Sequence, residues 1–336
     1  MTVCMKFKSG DEKNLFGKAN LQPVAAAMLT RGTKTMTRSE IEDRMTELKM
    51  AGSITNFTTT RKNLPAALEL VFDAMHNSIM PQDEFDQFKK QMQVMIESMR
   101  DKPDALAQNA ITQHFNTYPK GDPRYEYSLD ESLEQLNKLT VDQVRAFYKE
   151  FGGTSRGEIS IIRNDYAKYV SKAHYAPVVT EYRPVKATRV VIDTPDKENA
   201  IIVARSVFPI NDTAPDAPAL TVANWILGGG TGLSNRLIER LRQKEGLSYG
   251  AGSRVRIPAK GDNGSFVFRA IVAPQNMLQA EASARDVIAK AIKDGFTDQE
   301  VEEAKKGLLQ AMQVARSQDD VVARSWNDKI ENQRTW

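Results

Sequence analysis

The sequence predicts an α+β fold built as two related units, and three observations carry the prediction. At 336 residues the chain exceeds one ordinary core, so two domains of about 150 residues each are expected. Apolar residues at 41% and charged residues at 26% match water-soluble globular chains and exclude disordered, collagen-like and coiled-coil readings. One succession of strand-like and helix-like segments also runs through the chain twice, at a spacing longer than solenoid repeats have.

In the first copy "MTVCMKFKSG" has the pattern of a strand, and "LQPVAAAMLTRGT" that of an apolar helix ending at Gly32. "TRSEIEDRMTELKMAG" is a second helix, opened by a capping box from Thr37 to Glu40 and closed by Gly52, and the strand-like "SITNFTTT" follows. The second copy keeps the order. "NAIIVARSVF" is a strand and "APALTVANWILGGG" a helix with Leu220, Ala223 and Leu227 on one face. "LSNRLIERLRQKEG" and the strand "LSYGAGSRVRI" come next. Long helices continue the match, because Lys89 and Lys90 fall 216 residues before Lys305 and Lys306.

Copy 1 then passes through "DESLEQLNKLTVDQVRAFYKEF", with a capping box from Thr140 to Gln143, to the strand "GEISIIRN". Copy 2 ends before reaching those elements, but it has a leading strand, "ATRVVID", that copy 1 lacks. Truncation at both ends is therefore expected. The implied domains are 1–172 and 188–336, joined by a linker at 173–187 in which Pro177 and Pro184 discourage regular structure.

Charge and composition also narrow the partners. The net charge of +3 is small and interleaved, so nucleic acid is not implied. No apolar run approaches the roughly 18 residues of a membrane span, and no signal-peptide pattern opens the chain. Cys4 is the only cysteine, which excludes an intramolecular disulfide framework and suits a lone buried thiol.

Self-contained catalytic chemistry is hard to assemble. "GGGTGLSN" does not complete a dinucleotide or P-loop motif, since Asn235 stands at the final glycine position and a helix, not a strand, precedes it. Helix termination and a loop suit it better. His76, His114 and His174 are far apart and form no zinc-binding pair, and no nucleophile elbow is present.

"GLSNRLIERLRQKEGLSYGAG" is the informative stretch. Leu233, Leu237 and Leu241 recur every four positions, so one helical stripe is buried while Arg236, Arg240 and Lys244 remain outside. Ser234 suits the N-cap and Gly246 the left-handed C-cap. Arg242 then lies in the last turn, and Tyr249 enters the strand beyond the glycine. Together they offer donors for carbonyl oxygens or an oxyanion; the plainer alternative is a helix-terminal charge and a half-buried strand tyrosine. Aligning Gly246 with Gly52 gives Leu48 and Thr55 as their counterparts, so the fold itself does not require the pair.

These residues resemble the pitrilysin or insulinase-like zinc metallopeptidases along essentially the whole chain. "FKSGDEKNLFGKANLQPVAAAMLTRGT" looks like the start of a family domain, and "ILGGGTGLSNRLIERLRQKEGLSYGAGS" like the best-marked part of the substrate-binding half. The resemblance implies two homologous domains, each a mainly antiparallel sheet with helices packed on it, forming one bowl-shaped half of such a peptidase. The family's HxxEH motif would fall on Pro23 to Ala27, which here is "PVAAA". No metal ligand and no catalytic residue carries over. Arg242 and Tyr249 do carry over, as the pair that closes over the substrate backbone from the half opposite the zinc.

The resulting expectation is the non-zinc half of a peptidase acting on peptides or unfolded proteins, inactive alone, with zinc held by an HxxEH-bearing companion half in the same polypeptide or a separate subunit. The alternatives are a scaffold or a peptide-binding module of the same fold. The resemblance points to the periplasm, with the cytoplasm as alternative.

Overall fold

The computed structural model of the chain describes residues 1–153, 157–159, 172–230 and 235–334. The first half runs β1 (Thr2–Phe7), α1 (Leu21–Met28), α2 (Arg38–Glu47), β2 (Ala51–Ser53), β3 (Asn56–Thr58), α3 (Leu64–Asn77), α4 (Gln82–Met99), α5 (Pro103–His114), α6 (Leu129–Lys138), α7 (Val141–Phe151) and β4 (Gly157–Ile159). The second half begins with β5 (Ala200–Pro209), α8 (Ala217–Asn224), a π-helical turn at Trp225–Gly229, α9 (Arg236–Ile238) and a π-helical stretch at Glu239–Lys244. It continues with β6 (Ser248–Arg256), β7 (Asn263–Val272), α10 (Met277–Asp294), α11 (Asp298–Arg316) and α12 (Asp319–Glu331). Two sheets form, in the orders β2-β3-β1-β4 and β5-β7-β6, and their pairings are antiparallel. The fold is therefore α+β, with helices packed on antiparallel sheets.

Strand alternation decides which side of each sheet is covered by its own helices. In the first half Val3 pairs with Phe57, and both are buried in the core with Met5. In the second half Ile202 pairs with Ala270, and this face packs toward Ala280, Ala284 and Val287 of α10. The small residues of α10 recur at helical spacing, which lets the helix lie close to the strands. Capping boxes at Thr37–Glu40 and Thr140–Gln143 form as the sequence predicts, and two more begin α6 and α11 at Ser128–Glu131 and Thr297–Glu300.

Each half lends a helix to the other's sheet. α12 packs on β1, where the buried Asn327 amide donates to the Cys4 carbonyl at 3.0 Å. Lys6, on the same strand, pairs with Asp328 at 3.2 Å and also with Glu331. Reciprocally, α5 packs on β5, and the Arg205 guanidinium lies 4.9 Å from the Phe115 ring centre. The segment between the halves has no regular structure but is held firmly. Arg124 and Arg183 both lie about 4 Å from the Tyr118 ring centre, and the Tyr118 hydroxyl accepts a hydrogen bond from the Glu181 amide at 3.0 Å.

Four local expectations need correction. Gly52 does not close α2: Lys49 takes the left-handed turn at φ 52°, and Gly52 lies inside β2, where an added Cβ would meet the Asn56 carbonyl oxygen at 2.3 Å. "SITNFTTT" is not one strand, because β2 and β3 are the arms of a hairpin that turns at Ile54 and Thr55. "ATRVVID" forms no strand; a strand needs a ladder partner, and none of the described residues pairs with it. The helices "APALTVANWILGGG" and "LSNRLIERLRQKEG" both widen into π-helical geometry at their C-terminal ends. Of "GEISIIRN", Gly157–Ile159 is strand and the rest lies outside the described residues.

Candidate substrate-binding site

The segment that carries Arg242 is anchored from its start. Asn235 is the N-cap, accepting the Ile238 amide at 2.9 Å; Ser234 and Leu233 lie outside the described residues. Leu237 and Leu241 are fully buried, as the apolar stripe predicts. Arg236 grips Glu300 of α11 through two bonds, Nε to Oε1 at 2.6 Å and Nη2 to Oε2 at 2.7 Å, and stacks over Phe296. Arg236 hydrogen bonding, reinforced by the Thr297 amide, holds the Glu300 carboxyl at about 2, well below its ordinary 4.5.

The end of the helix turns sharply. The Glu245 amide reaches back five residues to the Arg240 carbonyl at 3.2 Å, and the Leu247 amide reaches the Leu241 carbonyl at 2.8 Å. Gly246 sits between them at φ 63°, so it is the left-handed residue that the sequence predicts. Such π-helical widening is rare in helices and recurs at functional sites. Upstream, Gly228 brings the other π-helical turn against β6, where an added Cβ would lie 2.6 Å from the Ser253 nitrogen.

Arg242 and Tyr249 emerge on either side of this turn, and both are exposed. Along the helix, Arg236 pairs with Glu300, Arg240 with Glu245 and Lys244 with Glu239. Among the described residues Arg242 has no ion pair or hydrogen bond, so its donors are free for a ligand. Tyr249 is 65% exposed, a poor position for a residue whose role is packing. It occupies a β-bulge: Ser248 stands opposite Val272 and Gly250 opposite Ile271, leaving Tyr249 as the extra residue. The Ser248 hydroxyl fixes the bulge, accepting from the Gly250 amide at 3.1 Å and lying 2.9 Å from the Ile271 carbonyl oxygen.

The two halves differ in length at this turn. With the left-handed residues matched, Gly246 corresponds to Lys49, and Arg242 to Met45. With the core-facing pairs matched, Val3 and Phe57 to Ile202 and Ala270, Gly250 corresponds to Ala51. Between these anchors the first half has only Met50, whereas the second has Leu247, Ser248 and Tyr249. Tyr249 belongs to an insertion with no counterpart. Leu48 and Thr55 are thus not the equivalents, although the pair is still absent from the first half.

Helix α1 holds Pro23 to Ala27, the place of the family's zinc motif. Those five side chains carry no nitrogen, oxygen or sulfur donor, so the residues present do not fit a metal ion. His76, His114 and His174 stand on separate elements, and no group of three candidate ligands occurs among the described residues. Sequence reasoning missed the Arg236–Glu300 clamp and Ser248; the Thr297–Glu300 box was the readable signal for the first.

The chain belongs to the peptidase M16 family: the family described as the peptidase M16 inactive domain matches residues 141–308, half of the chain. A non-peptidase homolog, YmxG, of Helicobacter pylori is 31% identical over 114 residues, covering 34% of this chain and 26% of that protein. An uncharacterised zinc protease of Mycobacterium bovis is 24% identical over 298 residues, covering 82% of this chain and 66% of the relative. The chain thus spans under two thirds of the length of each of these relatives.

Among solved structures, the peptidase M16 inactive domain of Pseudomonas fluorescens superposes with a TM-score of 0.77 at 21% identity, covering 92% of this chain and 77% of that one. A Helicobacter pylori protease gives 0.77 at 18% identity, covering 99% and 84%. The periplasmic protease PqqL of Escherichia coli gives 0.67 at 14% identity, covering 98% and 38%. Likeness at these identities establishes the insulinase-like fold.

Proposed function

We propose that this chain is the substrate-binding, non-zinc half of an insulinase-like metallopeptidase that hydrolyses peptides or unfolded proteins. The free, exposed Arg242 beside the bulged Tyr249 is the observation that carries the reading. An extended peptide presents carbonyl oxygens that a guanidinium and a phenol can hold, and the same donors suit the oxyanion that forms on water attack. The chain's own contribution is binding and positioning, because α1 offers no ligands. Zinc and the activated water belong to a companion half bearing HxxEH, in the same polypeptide or a separate subunit. The repeated succession of elements supports an internally duplicated chain, and the likeness to a periplasmic protease supports a periplasmic setting.

Arg242→Ala and Tyr249→Phe in the assembled protein test the assignment. A loss of turnover above about tenfold with intact assembly, roughly 1.4 kcal/mol in the barrier, supports it; unchanged turnover refutes it. A second reading is a non-catalytic scaffold or peptide-binding module, favoured by the likeness to a non-peptidase homolog. It differs in outcome, since a scaffold tolerates both substitutions and a binding module loses peptide affinity without any turnover to lose.

A further inference from the structure

The face of the second sheet turned away from α10 carries four arginines. Ile202 and Ala270 point toward α10, so the alternate positions point the other way. Register sets Arg254, Val267 and Arg205 in one cross-strand row, with Arg256 in the row on one side and Arg269 in the row on the other. α5 covers the β5 side of this face: Asp104 pairs with Arg269 at 2.9 Å, and Phe115 stacks with Arg205. Arg254 and Arg256 stay exposed on β6 and have no ion pair or hydrogen bond among the described residues. The first half has no equivalent of them. Ala51 matches Gly250, so β2 stops at the counterpart of Gly252, while β6 runs on to Arg256. There β4 takes the sheet edge opposite to β2, and α6 and α7 pack on α4 and α1, so the strand matched to β6 keeps Ala51 and Ser53 exposed.

Resting on the reading of Arg242 and Tyr249 as substrate-binding, we propose that Arg254, Arg256 and Arg205 form a carboxylate subsite. It selects peptides with acidic side chains about five to seven residues from the bond that Arg242 and Tyr249 hold. Arg254 and Arg256 stand five and seven positions beyond Tyr249 on the same strand, about 17 and 23 Å away, which an extended peptide spans with as many residues. The charge balance of the two halves points to the missing partner. Lys6, the counterpart of Arg205 when Val3 is matched to Ile202, meets Asp328 and Glu331 on the helix lent to its sheet. Arg205 meets only an aromatic ring on its lent helix, and its buried Nε has no hydrogen-bond partner among the described residues. Burial and the like charge of Arg256 disfavour its guanidinium charge, with Glu126 alone favouring it. A bound carboxylate supplies that counter-charge, and the guanidinium fork of Arg254 or Arg256 can take it through two parallel bonds.

The test uses the full chain and fluorescent peptides of about 17 residues, capped at both ends so that side chains alone carry charge. They are built of alanine, serine and leucine, with Glu, Gln or Lys about five and seven positions to either side of the centre. Saturable binding is expected, about tenfold tighter with Glu than with Gln and weakest with Lys. Arg254→Glu combined with Arg256→Glu should reverse that order in favour of Lys, which also shows that the variant is folded. Moving the Glu residues next to the centre should cancel their advantage, and Arg242→Ala should weaken all three peptides alike. Absence of saturable binding, equal affinity for Glu and Gln, an advantage that ignores position, or an order unchanged in the double variant would each overturn the subsite. The two assignments fail separately: a charge order that persists while Arg242→Ala changes nothing upholds the subsite and refutes the role of Arg242. Uniform weakening by Arg242→Ala without any charge order does the reverse.

Discussion

The first half of the molecule is built to bury, and the second half to expose. Twenty-four buried residues form the core of the first half and eleven that of the second, among the described residues, although both follow the same succession of elements. β1 carries fully buried side chains, while every residue of β5 keeps some exposure. One residue separates Lys49 from the matched strand position Ala51, whereas three separate Gly246 from its counterpart Gly250, and the β-bulge among them holds Tyr249 outward. One succession of elements is thus finished in two ways, and the second leaves the side chains of Arg242 and Tyr249 outward.

The largest test of this contrast is a pair of core truncations. Phe57→Ala should cost about 3–5 kcal/mol, the range for emptying a fully buried aromatic site. Ile202→Ala should cost less than half as much, because β5 is only partly covered. Equal losses in denaturant unfolding would break the comparison. Next in size is the crossed-helix contact: Asn327→Ala leaves the Cys4 carbonyl buried without its donor and should cost about 1–3 kcal/mol. Hydrogen exchange should then rise in β1 as well as α12, since the contact joins the halves.

The Arg236–Glu300 clamp should contribute less, about 1 kcal/mol, because solvent screens a pair that is about a quarter exposed. Its sign with pH is definite. Glu300 is held at about 2 against an ordinary 4.5, so its contribution is complete above about pH 4.5 and is lost as pH falls toward 2. Glu300→Gln should flatten that acid limb of the stability curve. Smallest of all, Arg242→Ala and Tyr249→Phe should leave stability within about 0.5 kcal/mol, as exposed side chains without partners do.

Much of the fold was legible because local signals agreed with tertiary need. The strands β1, β5 and β6, the paired long helices and the capping boxes at Thr37 and Thr140 all follow from patterning and cap chemistry. Gly52 misled because glycine is the usual left-handed residue, yet here Lys49 adopts that turn and Gly52 makes room for a hairpin. "ATRVVID" misled because alternation describes a strand's faces but cannot supply its neighbour. The π-helical turns and the bulge at Tyr249 depend on how the helix end meets β6, which no local pattern records. Arg242 and Tyr249 were found as residue types; their free donors and outward placement needed coordinates.

The claim at the centre is that this chain grips an extended peptide without performing the zinc chemistry. It is tested most directly by giving the purified chain zinc and a fluorescent unfolded-protein peptide, and following binding and cleavage together. Saturable binding that Arg242→Ala weakens, with no cleavage until an HxxEH-bearing companion is added, is the expected result; chelator-sensitive cleavage by the chain alone would contradict it.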